Sequence, residues 1–281
     1  MTTFALMIET PKSSALQQQY LTLLKKSLTD LLRPGKETYY PNKKFPINFI
    51  NNLVNPFGYA FARKKIIDTS DAYLEGKDHS PYAETLIGMK RLDCIEYCLT
   101  EIIKDNIPGD LLEAGVWRGG ATIFMAGYFK ALEITDRKIF VSDSFEGCPP
   151  PTNVIDKKDN YYQFDLLSVG LNLVQDNFRN YNLLSDQIVF LKGWFKDTLP
   201  NGPFNKLALI RIDGDMYEST MDALEATYSR LSPGGFLIVD DYSAIEASKL
   251  AVDDFRKSKN ITEAIHFIDW AGIYWRKESV Q

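Results

Sequence analysis

Two short apolar runs in this 281-residue chain end abruptly in acids. Leu207–Ser219 reads Leu-Ala-Leu-Ile-Arg-Ile-Asp-Gly-Asp-Met-Tyr-Glu-Ser, and Phe236–Tyr242 reads Phe-Leu-Ile-Val-Asp-Asp-Tyr. A buried parallel strand has this form when it delivers carboxylates to one edge of a sheet. If the two strands are neighbours, Asp213, Asp215, Asp240 and Asp241 crowd into one small volume. Like charges that close call for a cation or for shared protons. Carboxylate oxygens suit a hard divalent ion such as Mg²⁺. Aspartate also caps helices at strand-to-helix turns, which competes for any single one of these acids. Four acids on two strands favour the metal.

A second group of residues suggests a nucleoside. Glu113-Ala-Gly-Val-Trp-Arg-Gly-Gly120 lies between an apolar run and an expected helix, and its Gly115 and Gly119 let the chain turn sharply beside a ligand. Tight helix–strand packing would use the same glycines. The spacing is not the G-x-G-x-x-G of nicotinamide and flavin binders. Glu113 would repel a pyrophosphate but suits a cofactor carrying a sulfonium and an ammonium group, as S-adenosylmethionine does. Asp143-Ser144-Phe145 ends the next run, where an acid can accept from both hydroxyls of a ribose. Gly193-Trp194 offers free backbone amides and a flat ring for adenine, although Trp194 fits the core equally well. Neither histidine has a catalytic context: His79 sits in a loop that at most reaches the substrate mouth, and His266 lies inside a strand.

The elements that must position these residues follow from periodicity. Ser14–Arg33 is expected to be a helix with Leu16, Tyr20, Leu23, Leu24, Leu28, Leu31 and Leu32 apolar, ended by Pro34-Gly35. Glu37–Ser80 reads as irregular, wrapping the core as loops and short helices, and Tyr82–Asp105 as a second helix with Leu86, Met89, Leu92, Ile95, Leu99 and Ile102 in one stripe. Strands are expected at Asp110–Gly115, Lys138–Asp143, Ile188–Gly193, Leu207–Asp213 and Phe236–Asp240, each separated by room for a helix. Ala264–Asp269 and Gly272–Arg276 are joined by two residues, too few for a parallel crossover, so they must form an antiparallel hairpin. The fold class is therefore α/β, with the seven-stranded Rossmann-like sheet of class I methyltransferases and helices on both faces. Residues 1–81 are expected to form a helical and loop extension packed on a methyltransferase domain at residues 82–281.

A net charge of −5 and a pI near 5.2 argue against nucleic acid as a partner. The three cysteines, Cys94, Cys98 and Cys148, suggest neither a disulfide framework nor a zinc site. No run is long enough to span a membrane, and the N-terminal stretch Met1–Glu9 lacks the basic start of a signal peptide. A cytoplasmic protein is expected.

The motifs Tyr82–Leu92, Glu113–Gly120, Asp143–Gly147, Gly193–Leu199, Arg211–Ser219 and Pro233–Tyr242 resemble, in order, those of the macrocin O-methyltransferase family. That resemblance covers roughly Tyr20 to the C-terminus. It implies S-adenosylmethionine as methyl donor, magnesium as the metal, and a hydroxyl on a sugar or polyketide-like scaffold from antibiotic biosynthesis as small-molecule acceptor. The family's metal ligands fall on Asp213, Asp240 and Asp241, its general base on Asp215, its acidic cofactor contacts on Glu113 and Asp143, and its cofactor-covering helix around Met89. Asp215 could instead be a fourth ligand. Cys148-Pro-Pro-Pro151 and the polar run Thr152–Asn160 depart from the family and are expected to close over the acceptor. A catechol or other phenol as acceptor, and a non-catalytic cofactor-binding scaffold, are the alternative readings. The amphipathic first helix and the resemblance lean towards a homo-oligomer.

Overall fold

The computed structural model describes residues 14–278 except positions 34, 36, 42–44 and 67–69. The stretch read for a targeting signal, Met1–Glu9, and Pro34 lie outside the described residues. Helix α1 (Ala15–Leu28) begins at Ser14, whose hydroxyl accepts the Gln17 N–H while Gln17 accepts the Ser14 N–H in return, a reciprocal cap. It buries Leu21, Leu24 and Leu28 and ends a turn earlier than expected, because Asp30 takes a left-handed backbone (φ 56°).

The segment read as loops and short helices also holds a strand pair. Strands β1 (Glu37–Pro41) and β2 (Ala62–Ile66) pair antiparallel, flanking helix α2 (Ile47–Val54) and followed by the single turn α3 (Asp71–Leu74). Helix α4 (Met89–Lys104) starts seven residues later than expected. Its N-cap Gly88 is extended and lies so close to Gly76 that an added Cβ would sit 2.3 Å from the Gly76 nitrogen. That crossing holds the preceding residues out of the helix.

The main sheet is built from β3 (Asp110–Ala114), β4 (Ile139–Asp143), β5 (Ile188–Lys192), β6 (Leu207–Ile212), β7 (Leu231–Val239), β8 (His266–Phe267) and β9 (Ile273–Arg276), in the order β5-β4-β3-β6-β7-β9-β8. Strands β3 to β7 are parallel, β9 pairs antiparallel with β7, and β8 lies outermost. Helices α5 (Gly120–Ala131), α6 (Leu171–Asn180), α7 (Phe195–Thr198), α8 (Tyr217–Thr227) and α9 (Glu246–Ser258) make the crossovers.

Alternate strand residues feed two layers, as a period of two requires. Leu111, Ile139, Leu209 and Phe236 pack with α1, α4, α5 and α6, whereas Leu112, Phe140, Ile210 and Leu237 pack with α8, α9 and Trp275. Burial on both faces explains why these strands read as continuous apolar runs. Successive strands are added on one side of β3 up to β5 and on its other side from β6 onward, so the carboxyl ends of β3 and β6 open a crevice of the kind in which α/β sheets bind ligands. Among the described residues, no helix is long and apolar enough to cross a membrane.

Candidate active site

That crevice is a cavity of about 540 Å³, lined on one side by Gly115, Asp143, Ser144 and Trp194 and on another by Asp213, Asp215, Asp240 and Asp241. Gly115 has φ 89°, and a Cβ there would come within 1.9 Å of the Asp213 carbonyl oxygen. No other residue lets β3 turn away so close to the end of β6. Asp215 is itself left-handed (φ 55°), in the tight turn that leads from β6 into α8.

Asp213, Asp215 and Asp241 each offer a carboxylate oxygen, and these atoms all lie within 4.8 Å of one another. Burial and the neighbouring acids push all three upward, Asp215 to about 7. Such mutual repulsion is what a bound cation relieves. Asp240, expected with Asp213 and Asp241 as a ligand, lines the same cavity but is not in that cluster and is held by two arginines. Its Oδ2 accepts from Arg91 Nη1, and its Oδ1 lies 2.6 Å from Arg211 Nη2. Burial works to raise Asp240, but the two arginines outweigh it and hold it below its ordinary value.

Arg211 is the hub of this charge network. It is 2% exposed and contacts Glu113 Oε1, Asp213 Oδ2 at 3.0 Å and Asp240. Glu113, expected to face the cofactor, is instead 1% exposed and turned to Arg211. Burial pushes Glu113 up to about 8 against the pull of that guanidinium. Arg91, from α4, joins the network to the β8–β9 turn by donating to Asp269 Oδ2 at 2.8 Å.

The remaining expected residues divide. Asp143 and Ser144 line the cavity, and the Asp143 carboxylate already accepts the Val116 N–H at 2.8 Å and the Phe145 N–H at 2.7 Å, tying the glycine loop to β4. Trp194 lines the cavity as the residue before α7, while Gly193 does not; its N–H extends the β4 pairing to the Asp143 carbonyl. Gly119 is the N-cap of α5 and faces Val174 of α6. Met89 packs beside Leu31 and Tyr73, away from the cavity, and Leu86 and Arg91 of the same stretch line it instead. His79 does reach the mouth, edge-on to Trp117. His266 stacks on Tyr274 at the far sheet edge.

Besides Arg91, three contributors were missed in the sequence. Arg211 left a readable signal, since a charged residue inside a buried strand needs buried acids around it. Cys148 Sγ lies 3.6 Å from Asp215 Oδ2. Asp156 is fully buried and accepts the N–H groups of Tyr217 and Glu218 at the start of α8; nothing in its polar run distinguishes it.

The sequence pattern of macrocin-O-methyltransferase (TylF) matches residues 17–277. The chain belongs to the macrocin-O-methyltransferase family. Over 211 residues it is 48% identical to the 8-demethyl-8-(2,3-dimethoxy-alpha-L-rhamnosyl)-tetracenomycin-C 4'-O-methyltransferase of Streptomyces olivaceus, a match spanning 74% of this chain and 80% of that protein. Over 215 residues it is 46% identical to the mycinamicin III 3''-O-methyltransferase of Micromonospora griseorubida, spanning 74% and 84%. The solved structure of the O-methyltransferase NovP superposes with a TM-score of 0.80 at 37% identity, over 94% of this chain and 100% of that one. This macrocin-O-methyltransferase family member is therefore an O-methyltransferase with the class I fold. That fold implies S-adenosylmethionine as the methyl donor.

Proposed function

We propose that this enzyme methylates a hydroxyl of a sugar carried on a natural-product scaffold, using S-adenosylmethionine and a divalent cation such as Mg²⁺. The sugar and antibiotic acceptors named for its relatives support the acceptor class. The meeting of Asp213, Asp215 and Asp241 at one cavity wall carries the cation reading. The donor set fits a hard ion. Asp241 Oδ2 is buried without a hydrogen-bond partner among the described residues, and Asp240 Oδ1 meets Arg211 without a directed hydrogen bond.

In this reading Asp213, Asp240 and Asp241 hold the cation, and Asp215 takes the proton of the acceptor hydroxyl. A bound cation supplies Lewis-acid chemistry, lowering the pKa of an oxygen that it touches. Asp143 would hold the donor's ribose, and Trp194 would offer its ring to the base. Placing donor and acceptor at attack distance can contribute roughly 7–11 kcal/mol. Arg211 and Arg91 keep Asp213 and Asp240 in place. The wall holds Asp143, Asp213, Asp215, Glu218, Asp222, Asp240 and Asp241 against Arg91 and Lys196. Arg91 is already spent on two acids. Even with a divalent cation bound, these acids leave the wall short of positive charge, so an uncharged glycoside fits better than a phosphorylated acceptor.

The position of Asp215 within the carboxylate cluster favours a second reading, in which it is a ligand and Asp240 is not. Asp215→Asn separates the two. As base, its loss abolishes methyl transfer to a glycoside while calorimetric Mg²⁺ affinity stays within about threefold; as ligand, metal affinity falls by at least about tenfold. Methyl transfer from labelled donor that persists in excess chelator would overturn the cation reading.

A further inference from the structure

A second cavity, of about 450 Å³, opens beside the first, and Asp215 and Leu167 line both. Its other walls are Tyr161, Phe164 and Leu166, with Gln163 and Asp165 supplying polar groups. We infer that this cleft is the subsite for the apolar, non-sugar part of the acceptor, a reading that rests on glycoside methylation as the activity.

Three observations carry it. The cleft adjoins the carboxylate expected to take the hydroxyl proton, so a sugar at Asp215 would direct its aglycone either here or into solvent. The cleft's apolar side chains are left open to solvent, with Phe164 48% and Leu166 50% exposed, and the Tyr161 and Phe164 rings stand edge to face with centroids 6.0 Å apart. Exposed aromatic surface at a catalytic cavity marks a ligand wall. The segment is also fastened on both sides. Trp117 Nε1 donates to the Leu166 carbonyl at 2.8 Å, and Asp156 docks on the N-terminus of α8. The wall is therefore held in position before any acceptor arrives, which reduces the ordering cost of binding. The ligand class is a flat or polyketide-like apolar group of aromatic size, attached through a glycosidic bond to the sugar.

The test compares two probes that share a sugar, 4-methylumbelliferyl α-L-rhamnoside and methyl α-L-rhamnoside. Binding of each to the full chain is measured by calorimetry with S-adenosylhomocysteine and Mg²⁺ present, in wild type, Phe164→Ala and Leu166→Ala. Wild type is expected to bind the aryl glycoside about tenfold more tightly, and either variant should reduce that preference to about threefold or less. Affinity for the methyl glycoside should not change. Phe267→Ala, at the far sheet edge and 59% exposed, should keep the full preference. Equal affinity of wild type for the two probes, no binding of the aryl probe, or a preference surviving in both cleft variants would overturn the assignment. Methyl transfer to both probes is followed separately. Absence of turnover with the aryl preference intact would remove the sugar-methylation reading and leave the cleft standing.

Discussion

Asp156→Ala tests whether the segment between β4 and α6 is fastened to the start of α8. Asp156 is completely buried although Val154 beside it is 77% exposed. Its Oδ1 accepts the Tyr217 N–H at 2.7 Å, and its Oδ2 accepts the Glu218 N–H at 3.0 Å and an Asn153 Nδ2–H at 2.6 Å. Tyr217 and Glu218 form the first turn of α8, where N–H groups have no acceptor within the helix. Losing a single capping side chain costs about 0.5–2 kcal/mol. Here two donors are stranded, and a negative charge at the positive end of the helix is lost as well, at about 0.3–1 kcal/mol. The expected destabilisation is roughly 2–3 kcal/mol in urea unfolding, read as a shift in midpoint at constant slope. Asp156→Asn keeps one oxygen as acceptor and should lose about half as much. Affinity for S-adenosylhomocysteine should stay within about twofold in both variants, because the proposed donor site is built on Asp143 and the glycine loop rather than on Asp156. A loss below about 0.5 kcal/mol for the alanine variant would show that those N–H groups find other partners, and the fastening argument would fail.

Two further outcomes follow from the buried charge network. Arg211→Met leaves Glu113, Asp213 and Asp240 without their shared counter-charge and should cost about 3–5 kcal/mol in urea unfolding; adding Glu113→Gln should recover part of that loss, whereas strictly additive effects would contradict a common network. Glu113 is pushed from its ordinary 4.5 up to about 8 by burial, so the folded state holds its proton where the unfolded chain has released it. The stability this carboxyl contributes is complete below pH 4.5 and is lost as pH rises through 8. The stability of wild type relative to Glu113→Gln should therefore decline across that window, and a pH-independent difference would refute the assignment.

The parallel strands were legible because each of their apolar runs stops at a glycine or an acid. The two-residue link Trp270-Ala271 correctly forced the antiparallel hairpin. Features created by distant chain segments were not legible. Gly88 cuts the expected second helix short only because Gly76 lies against it. Strand β7 begins at Leu231 rather than Phe236, since Pro233-Gly234-Gly235 looks like a turn and a register shift opposite Leu207 and Leu209 accommodates it. Strand β8 is two residues instead of six, because the Asp269 side chain accepts the Ala271 and Gly272 N–H groups and ends the pairing early. The carboxylates of the site could be placed at one sheet edge from sequence, but not the direction each one faces. Asp240 turns towards Arg91, which is 149 residues away in the chain.

Strand β9 has a consequence for how the molecule is made. It lies inside the sheet, between β7 and β8, and its Trp275 is fully buried against the layer that holds α8 and α9. A nascent chain paused at the ribosome before residue 276 has emerged has already made every parallel strand, yet β7 still presents an open hydrogen-bonding edge beside an uncovered hydrophobic layer. Until synthesis passes that point, such an intermediate is exposed to off-pathway strand pairing with its neighbours.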